Sequence, residues 1–417
     1  MNEIKENQEI FEGPLKNLQE VKDSAFACVH CGQCRVANFP VKGIYYVCPV
    51  YKTDITPKFE PYFARGKNII LKGLFWGDLE LSQDISDLIF QCTLCGACEN
   101  FCHNSYNENI DFTNHRLIEN VKVFEALRAD LVEAGFPIES QVPMNKAMVE
   151  LLNPYERDNK DKLKWTENLD FKIKNANEEP SDVLYFVGCT AALTPQIQNI
   201  AIATSKILNK LNIDFSVFGE NEVCCGSVAM RTGDRKAFEK VKEQNVKLFK
   251  DKGISKIVTS CAGCYRTLKK DYGNILNGIE ILHIVEFLKD LIASKEPKLK
   301  NLNIDITYHD PCHLGRHMGL YQIPRDILNN ISNLIEMKTN GEGAMCCGAG
   351  GGVKKGFSDL SLEIAKNRVR EAKDIGVKYL VSTCPFCYRN LSDAIEVLNS
   401  DIKMVDLVEL FLDALEI

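Results

Sequence analysis

Ten cysteines fall into two sets of one uncommon form: a single Cys, then an adjacent Cys-Cys-Gly, then Cys-x-x-Cys. The first set is Cys189, Cys224, Cys225, Cys261 and Cys264. The second is Cys312, Cys346, Cys347, Cys384 and Cys387, offset from the first by 122 or 123 residues throughout. Thiolates are soft ligands that suit zinc or iron-sulfur clusters, but five exceed the four that a zinc ion or a cubane takes. Buried free cysteine packs well as a small hydrophobe, yet packing alone does not repeat five positions at one offset. A redox dithiol of the Cys-x-x-Cys kind explains two of five residues per set. A metal cluster explains all five.

Eight further cysteines precede these: Cys28, Cys31, Cys34 and Cys48, then Cys92, Cys95, Cys98 and Cys102. Three thiols at short steps plus a distant fourth is two-cluster bacterial ferredoxin spacing, in which the fourth ligand of each cubane comes from the other motif. Cys28, Cys31, Cys34 and Cys102 are therefore expected to hold one 4Fe-4S cubane, and Cys92, Cys95, Cys98 and Cys48 the other. Zinc commonly takes two Cys-x-x-Cys pairs and does not need the third cysteine at the same step. Two departures stand out. Thirteen residues separate Cys34 from Cys48 where three are usual, and His103 rather than proline follows Cys102.

The elements that must position these thiols are those of a soluble globular chain. Of its 417 residues, 26% are charged and 45% hydrophobic, enough for two to four domains. The net charge of -7 argues against a general nucleic-acid surface. Residues 1–20 mix Lys with Glu and carry no apolar h-region, so a secretory signal is not expected and the compartment should be reducing. The most apolar segments, such as 281–292, are interrupted by His283, Glu286 and Lys289 and are too short to span a bilayer. The reading is a cytoplasmic protein, peripheral at the membrane only through a partner.

Residues 24–106 show little continuous periodicity, so loops closed by metal are expected there in place of an apolar core. Residues 114–135 read as an amphipathic helix, and the polar, proline-broken stretch 153–180 reads as a connector. After residue 180 the pattern becomes α/β. The first copy offers apolar runs at 183–187, 215–218 and 256–259, with helices near 194–211 and 234–252. The second offers runs at 304–308, 334–337 and 379–381, with helices from 324 and near 360–372. Strands alternating with helices imply right-handed parallel crossovers. The tails match as well, HIVEFLKDLI from His283 against DLVELFLDAL from Asp406, which marks a tandem duplication. Each cysteine group follows an apolar run, where parallel α/β units bind ligands. Gly188, Gly226, Gly263 and the run Gly348 to Gly352 would let backbone approach a cluster. The expected architecture is multi-domain α+β: a helical ferredoxin-like two-cluster domain (1–112), a helical linker (113–180), and two tandem α/β domains with parallel strands (181–302 and 303–417).

The segments FVGC ending at Cys189, EVCCG ending at Gly226, SCAGCYRTL from Ser260, DPCHLGRHMG from Asp310, MCCGAGGG from Met345 and STCPFCYRNL from Ser382 resemble the CCG-domain iron-sulfur family. Within it the chain is most similar to the D subunits of heterodisulfide reductases, over about residues 24–417. That resemblance implies a non-cubane 4Fe-4S cluster on each five-cysteine set. It also implies an enzyme that splits the disulfide of coenzyme M and coenzyme B, with a membrane cytochrome b or a flavoprotein as electron donor. The related iron-sulfur subunits of glycolate, lactate and glycerol-3-phosphate dehydrogenases tend to have depleted sets, and neither set is depleted here. An electron-transfer subunit of such a flavin enzyme is the alternative, and a zinc-stapled binding protein a third.

Reducing a disulfide takes two electrons, and iron-sulfur clusters pass one at a time. Two unusual clusters facing one disulfide would answer the mismatch, with no cysteine acting as an exchanging nucleophile. Substrate anions would need local cations: Arg266 and Arg389 after each Cys-x-x-Cys, and Arg316, His317 and Arg325 after Cys312. His309, His313 and His317 recur every four residues around Cys312 and, with Arg316, are the candidate catalytic groups, the histidines as proton donors to departing thiolates. Against this stands the plain alternative that such arginines are paired structurally. Arg35, Lys42, Lys67 and Lys72 would balance cubane charge, and Trp76 and Trp165 would pack.

Overall fold

The computed structural model describes residues 13–35, 46–102, 117–179 and 181–416. Lys42, His103 and residues 114–116 of the expected helix lie outside these. After residue 170 the chain builds two parallel sheets. The first comprises β1 (Lys174–Asn175), β2 (Val183–Tyr185), β3 (Phe215–Val217), β4 (Lys256–Thr259) and β5 (Glu280–His283), in the order β1-β3-β2-β4-β5. The second comprises β6 (Asp305–Tyr308), β7 (Asn333–Leu334), β8 (Tyr379–Ser382) and β9 (Lys403–Asp406), in the order β7-β6-β8-β9. In register, Leu184 pairs Ile257 in one copy and Thr307 pairs Leu380 in the other. The central strands are short runs buried on both faces, as parallel sheets covered by helices require.

Helix placement follows apolar spacing and caps. Helix Arg235–Asp251 buries Ala237, Phe238, Val241, Asn245, Val246 and Phe249 on one face, and its N-cap Asp234 accepts from the Ala237 amide at 2.9 Å. The duplication extends to the caps of the last helices. His283 with Glu286, and Asp406 with Glu409, form capping boxes at Ile284–Lys295 and Leu407–Ala414.

The copies are joined reciprocally. Helix Asn199–Lys210 of the first packs on Leu407–Ala414 of the second, and Ile284–Lys295 of the first packs on Gln322–Ile331 of the second. Each contact pairs the helix after the first cysteine of one copy with the final helix of the other. That is the self-complementary relation of a two-fold axis, and one apolar core runs through both sheets.

The N-terminal region differs from the expectation of metal-closed loops. Helices Ala64–Trp76, Gln83–Phe90 and Asn120–Glu133 enclose a separate core of Leu71, Leu74, Ile89, Phe90, Phe124, Leu127 and Leu131. The stretch 153–180 is more than a connector: its 3-10 segment Asn159–Asn168 buries Trp165 fully, and β1 extends the first sheet. Trp76, by contrast, is 64% exposed and meets Phe26 edge-on.

Candidate iron-sulfur centres

Two cavities in the N-terminal region gather the first eight thiols. Cys48, Cys92, Cys95 and Cys98 line one. Cys28, Cys31, Cys34 and Cys102 line the other, which Cys98 also borders. On either side of the insertion, the Val47 amide donates to the Arg35 carbonyl at 3.1 Å, which sets Cys48 near Cys34. Both short motifs turn alike. His30 and Gly32, and likewise Leu94 and Gly96, take left-handed φ of +57°, +84°, +53° and +73°, and the Leu94 amide lies 3.4 Å from the Cys92 sulfur. Loops wound this way turn amides toward the enclosed centre. Lys67 and Lys72 are tied to the Leu88 and Cys28 carbonyls, and Arg35 stacks over Tyr51 and Phe63.

Each five-cysteine set closes into a continuous cluster of buried or half-buried sulfurs. Neighbouring thiols run from Cys189 to Cys224, Cys224 to Cys225, Cys225 to Cys264 and Cys264 to Cys261. The second set repeats them from Cys312 through Cys346, Cys347 and Cys387 to Cys384. All ten follow the carboxyl ends of strands. At Gly188, φ is +78° and an added Cβ would lie 3.1 Å from the Cys264 sulfur, so only glycine fits. Gly351 serves differently from the expectation. Its φ is +64° and a Cβ there would lie 2.6 Å from the Cys92 carbonyl oxygen, so it seats the second copy against the N-terminal cysteine loop.

Two contacts link the groups. Cys261 of the first set meets Cys384 of the second. Cys95 of the N-terminal region meets Cys346 of the second.

The histidines and arginines named from sequence divide. Arg325 is clamped by Asp310 at 2.7 and 2.9 Å and by Glu336 at 2.6 Å, and Arg316 donates to the Ala344 carbonyl at 2.9 Å beside the second Cys-Cys pair. Arg266 joins Arg231, Glu125 and Asp271 in a buried ion network. Arg325 and Arg266 are therefore occupied by carboxylates, which removes them as free anion-binding cations, whereas Arg316 meets only a carbonyl and keeps its charge beside Cys95, Cys312 and Cys346. Arg389 is half-buried and lies over the Tyr155 ring at 5.7 Å, whose hydroxyl is 2.8 Å from Thr190 beside Cys189. His313 and His317 sit 4.7 Å apart, with Gly263 of the first set near one ring and Gly96 of the N-terminal loop near the other. Burial, then Arg266 and Arg231, push His313 down to about 3, so the ring is neutral. His309 is fully buried, and burial followed by Arg368 likewise holds it at about 3. As proton donors these rings lack the near-neutral pKa that the sequence reading assumed.

Several residues were not read from sequence. Arg128 is fully buried and donates to the carbonyls of Arg231 and Gly351 at 2.7 Å, Ile89 at 3.0 Å and Cys92 at 2.6 Å, which ties all three parts of the chain together. Asn245 and Asn390 donate to the Cys224 and Cys347 carbonyls at 3.0 and 2.6 Å, supporting each Cys-Cys pair from behind. Glu222 accepts from the Val187 and Gly188 amides at 2.9 and 2.8 Å and shapes the turn into Cys189. A lone Arg or Asn on a helix carries no sequence signal of such a role.

The thiol environment fits clusters better than free cysteine. Burial pushes Cys34 and Cys48 up to about 12. A hydrogen bond to Cys224, then burial, holds Cys189 well above the thiol range, while bonds from Cys224 and Cys264 pull Cys225 down to about 6. Thiols packed this tightly can all ionise only when cationic metal takes the place of their protons. No disulfide links any cysteine among the described residues.

Fold and site together define an iron-sulfur protein with a two-cluster N-terminal region and two cysteine-rich domains. The family described as "4Fe-4S dicluster domain" matches residues 19–106, and that described as "Cysteine-rich domain" matches 183–269 and 306–392. Over 96% of both chains, the sequence is 38% identical to the D subunit of the dihydromethanophenazine:CoB–CoM heterodisulfide reductase of Methanosarcina barkeri, and equally to that of Methanosarcina mazei. The chain belongs to the family of heterodisulfide reductase D subunits. It is also 30% identical to the B subunit of the fumarate reductase (CoM/CoB) of Methanothermobacter marburgensis, over 92% of this chain and 71% of that one. A crystal structure of a hypothetical protein from Helicobacter pylori shares the fold, with a TM-score of 0.54 at 10% identity over 97% of this chain and 73% of that one.

Proposed function

We propose that this chain is the iron-sulfur catalytic subunit of a heterodisulfide reductase, reducing the coenzyme M–coenzyme B disulfide or a related one to two thiols. The reaction consumes two electrons and two protons per disulfide, R-S-S-R′ becoming RSH and R′SH. The observation that carries the reading is that both five-thiol sets are complete and meet at Cys261 and Cys384. A simple electron relay has no use for two such sets, and this disfavours the alternative of an electron-transfer subunit in a flavin-dependent 2-hydroxy-acid or glycerol-3-phosphate dehydrogenase.

Cys28, Cys31, Cys34 and Cys102 hold one cubane, and Cys92, Cys95, Cys98 and Cys48 the other. Each five-thiol set holds a non-cubane 4Fe-4S cluster. The bound clusters supply one-electron steps and a site of attack on sulfur. The residues supply order. Cys98 borders both N-terminal cavities, Cys95 adjoins Cys346, and Cys384 adjoins Cys261, so the path runs from the first cubane to the second, then to the second set and the first. Electrons enter near Cys31, which is exposed, as is Val29 two residues before it. That face is offered to a partner protein, a membrane cytochrome b or a flavoprotein. No helix among the described residues is long and apolar enough to cross a membrane, in keeping with a cytoplasmic chain held peripherally by its partner. Arg389 is the cation placed to hold an anionic group of the disulfide. His313 and His317 are neutral rings beside this site, and the protons for the products come from other groups.

The test is reduction of the coenzyme M–coenzyme B disulfide by anaerobically purified protein with a reduced viologen dye as donor. Two thiols formed per disulfide at catalytic turnover are expected. Dye-reduced clusters that leave the disulfide intact would move the chain to the relay class.

A further inference from the structure

The two five-thiol sets are related by duplication, but one position beside them breaks the symmetry. The residue directly after β2 is Phe186 and its counterpart after β6 is His309; their amides donate to the equivalent carbonyls of Val258 and Val381 at 2.8 and 2.7 Å. Both side chains are fully buried. His309 presents a ring nitrogen within 4.8 Å of the sulfurs of Cys347 and Cys387, so one copy of the site faces an imidazole where the other faces a phenyl ring.

A histidine grouped with two cysteines invites the reading of an additional metal ligand. The hydrogen bonds behind the ring exclude it. Arg368 Nε donates to His309 Nδ1 at 3.1 Å, and a guanidinium can only donate. Nδ1 is therefore the acceptor, and the proton of the neutral ring sits on Nε2. A nitrogen that carries its proton has no lone pair for iron. Arg368 cannot turn away, because its Nη1 is fixed by the Thr339 carbonyl and hydroxyl and by Glu371, each at 2.8 Å. At the position matching Arg368 the first copy has Asn245, which donates to the Cys224 carbonyl and touches no histidine. Nε2 of His309 is buried and has no hydrogen-bond partner of any kind among the described residues. A buried N-H left without an acceptor is costly, and a cluster held by Cys347 and Cys387 would bring sulfur acceptors to this side of the ring.

We infer that His309 donates a hydrogen bond from Nε2 to the sulfur of the second five-thiol site and makes that site the more readily reduced of the two. The inference rests on the proposed clusters. Reduction adds negative charge that spreads onto the sulfurs, and an N-H donor stabilises it, which raises the reduction potential. Phe186 gives the first site no such donor. Electrons arriving singly through Cys95 then settle on the second site before the first is filled, so the two halves of a disulfide meet unequal partners. His309 is a positioning and tuning residue, and protons for the products come from elsewhere.

The experiment is a redox titration of the holoprotein followed by electron paramagnetic resonance, with iron counted in each sample. In His309→Phe, which copies the first set, one five-thiol site is expected to shift to more negative potential while the other stays. The expected shift is at least tenfold in the reduced-to-oxidised ratio, about 59 mV for one electron. His309→Gln, which keeps an N-H donor, restores most of it. A His309→Phe protein with full iron and unchanged potentials overturns the inference. If that variant loses iron, wild-type protein carrying 15N-histidine decides. A pulsed-resonance coupling from an imidazole N-H at one five-thiol site supports the inference, and its absence from both overturns it. Wild-type protein with only cubane iron overturns the cluster reading itself, and the inference with it.

Discussion

Cys261 and Cys384 occupy equivalent positions in the two copies, 123 residues apart, and their thiols meet where the copies face each other. A contact between equivalent residues lies on the two-fold relation set by the reciprocal helix packing. It brings two otherwise separate sites into one reaction zone. Replacing either residue by alanine should remove one non-cubane cluster and leave three. Iron should fall from roughly 16 to roughly 12 atoms per chain, disulfide reduction should cease, and dye should still reduce the cubanes. Retention of catalytic turnover in Cys384→Ala would separate the contact from the chemistry.

Arg128 holds the N-terminal helices to both copies through four backbone carbonyls. Arg128→Met keeps the bulk of the stem and strands those acceptors in a dry interface. A loss on the order of 3 kcal/mol or more in anaerobic urea unfolding is expected, with slower electron delivery from the cubanes to the second set. A change below about 0.5 kcal/mol, the size of an ordinary surface substitution, would show that water reaches these carbonyls.

Arg389 is the arginine after a Cys-x-x-Cys that no carboxylate among the described residues clamps, whereas Arg266 is paired with Glu125 at 3.3 Å. Arg389→Met should therefore raise KM for the disulfide about tenfold, worth about 1.4 kcal/mol, with iron content and kcat little changed. Arg266→Met should instead destabilise the fold. Unaltered KM in Arg389→Met would place the substrate anion elsewhere.

Burial alone would raise the Glu371 carboxyl, but Arg368 and the Thr339 hydroxyl and amide outweigh it and hold it below its ordinary value of 4.5. The folded protein thus favours the carboxylate. The stabilisation is fully present above about pH 4.5 and disappears as pH falls through the lower folded value. Compared with wild type, Glu371→Gln should be less stable at pH 7, and the difference should shrink in acid. A difference that grows on acidification would contradict the sign.

The cysteine ligands were legible because cluster chemistry constrains both residue type and spacing, and the duplicated offset removed chance. The inner strands were legible from apolar runs. Strands β5 and β9 were not, since Glu280–His283 and Lys403–Asp406 mix charge with apolar residues and run straight into capped helices. Residues 24–106 read as loops because short helices such as Gln83–Phe90 leave little periodicity, although Ile85, Ile89 and Phe90 are buried. Arg128 and Arg368 were invisible. Each sits on an amphipathic helix where arginine ordinarily faces water, and only long-range packing turns it inward. The histidines were noticed for their four-residue spacing, yet that spacing does not place all three together: His309 directly follows a strand, while the tilted rings of His313 and His317 meet with centroids 4.7 Å apart.

The central claim is that ten sulfurs in two copies hold two clusters beyond the two cubanes. Iron and acid-labile sulfide counted on anaerobically isolated protein, with Mössbauer spectra of the same sample, test it most directly. The account predicts roughly 16 iron atoms per chain, half of them in an environment distinct from cubane iron. About eight iron atoms of cubane type alone would contradict it.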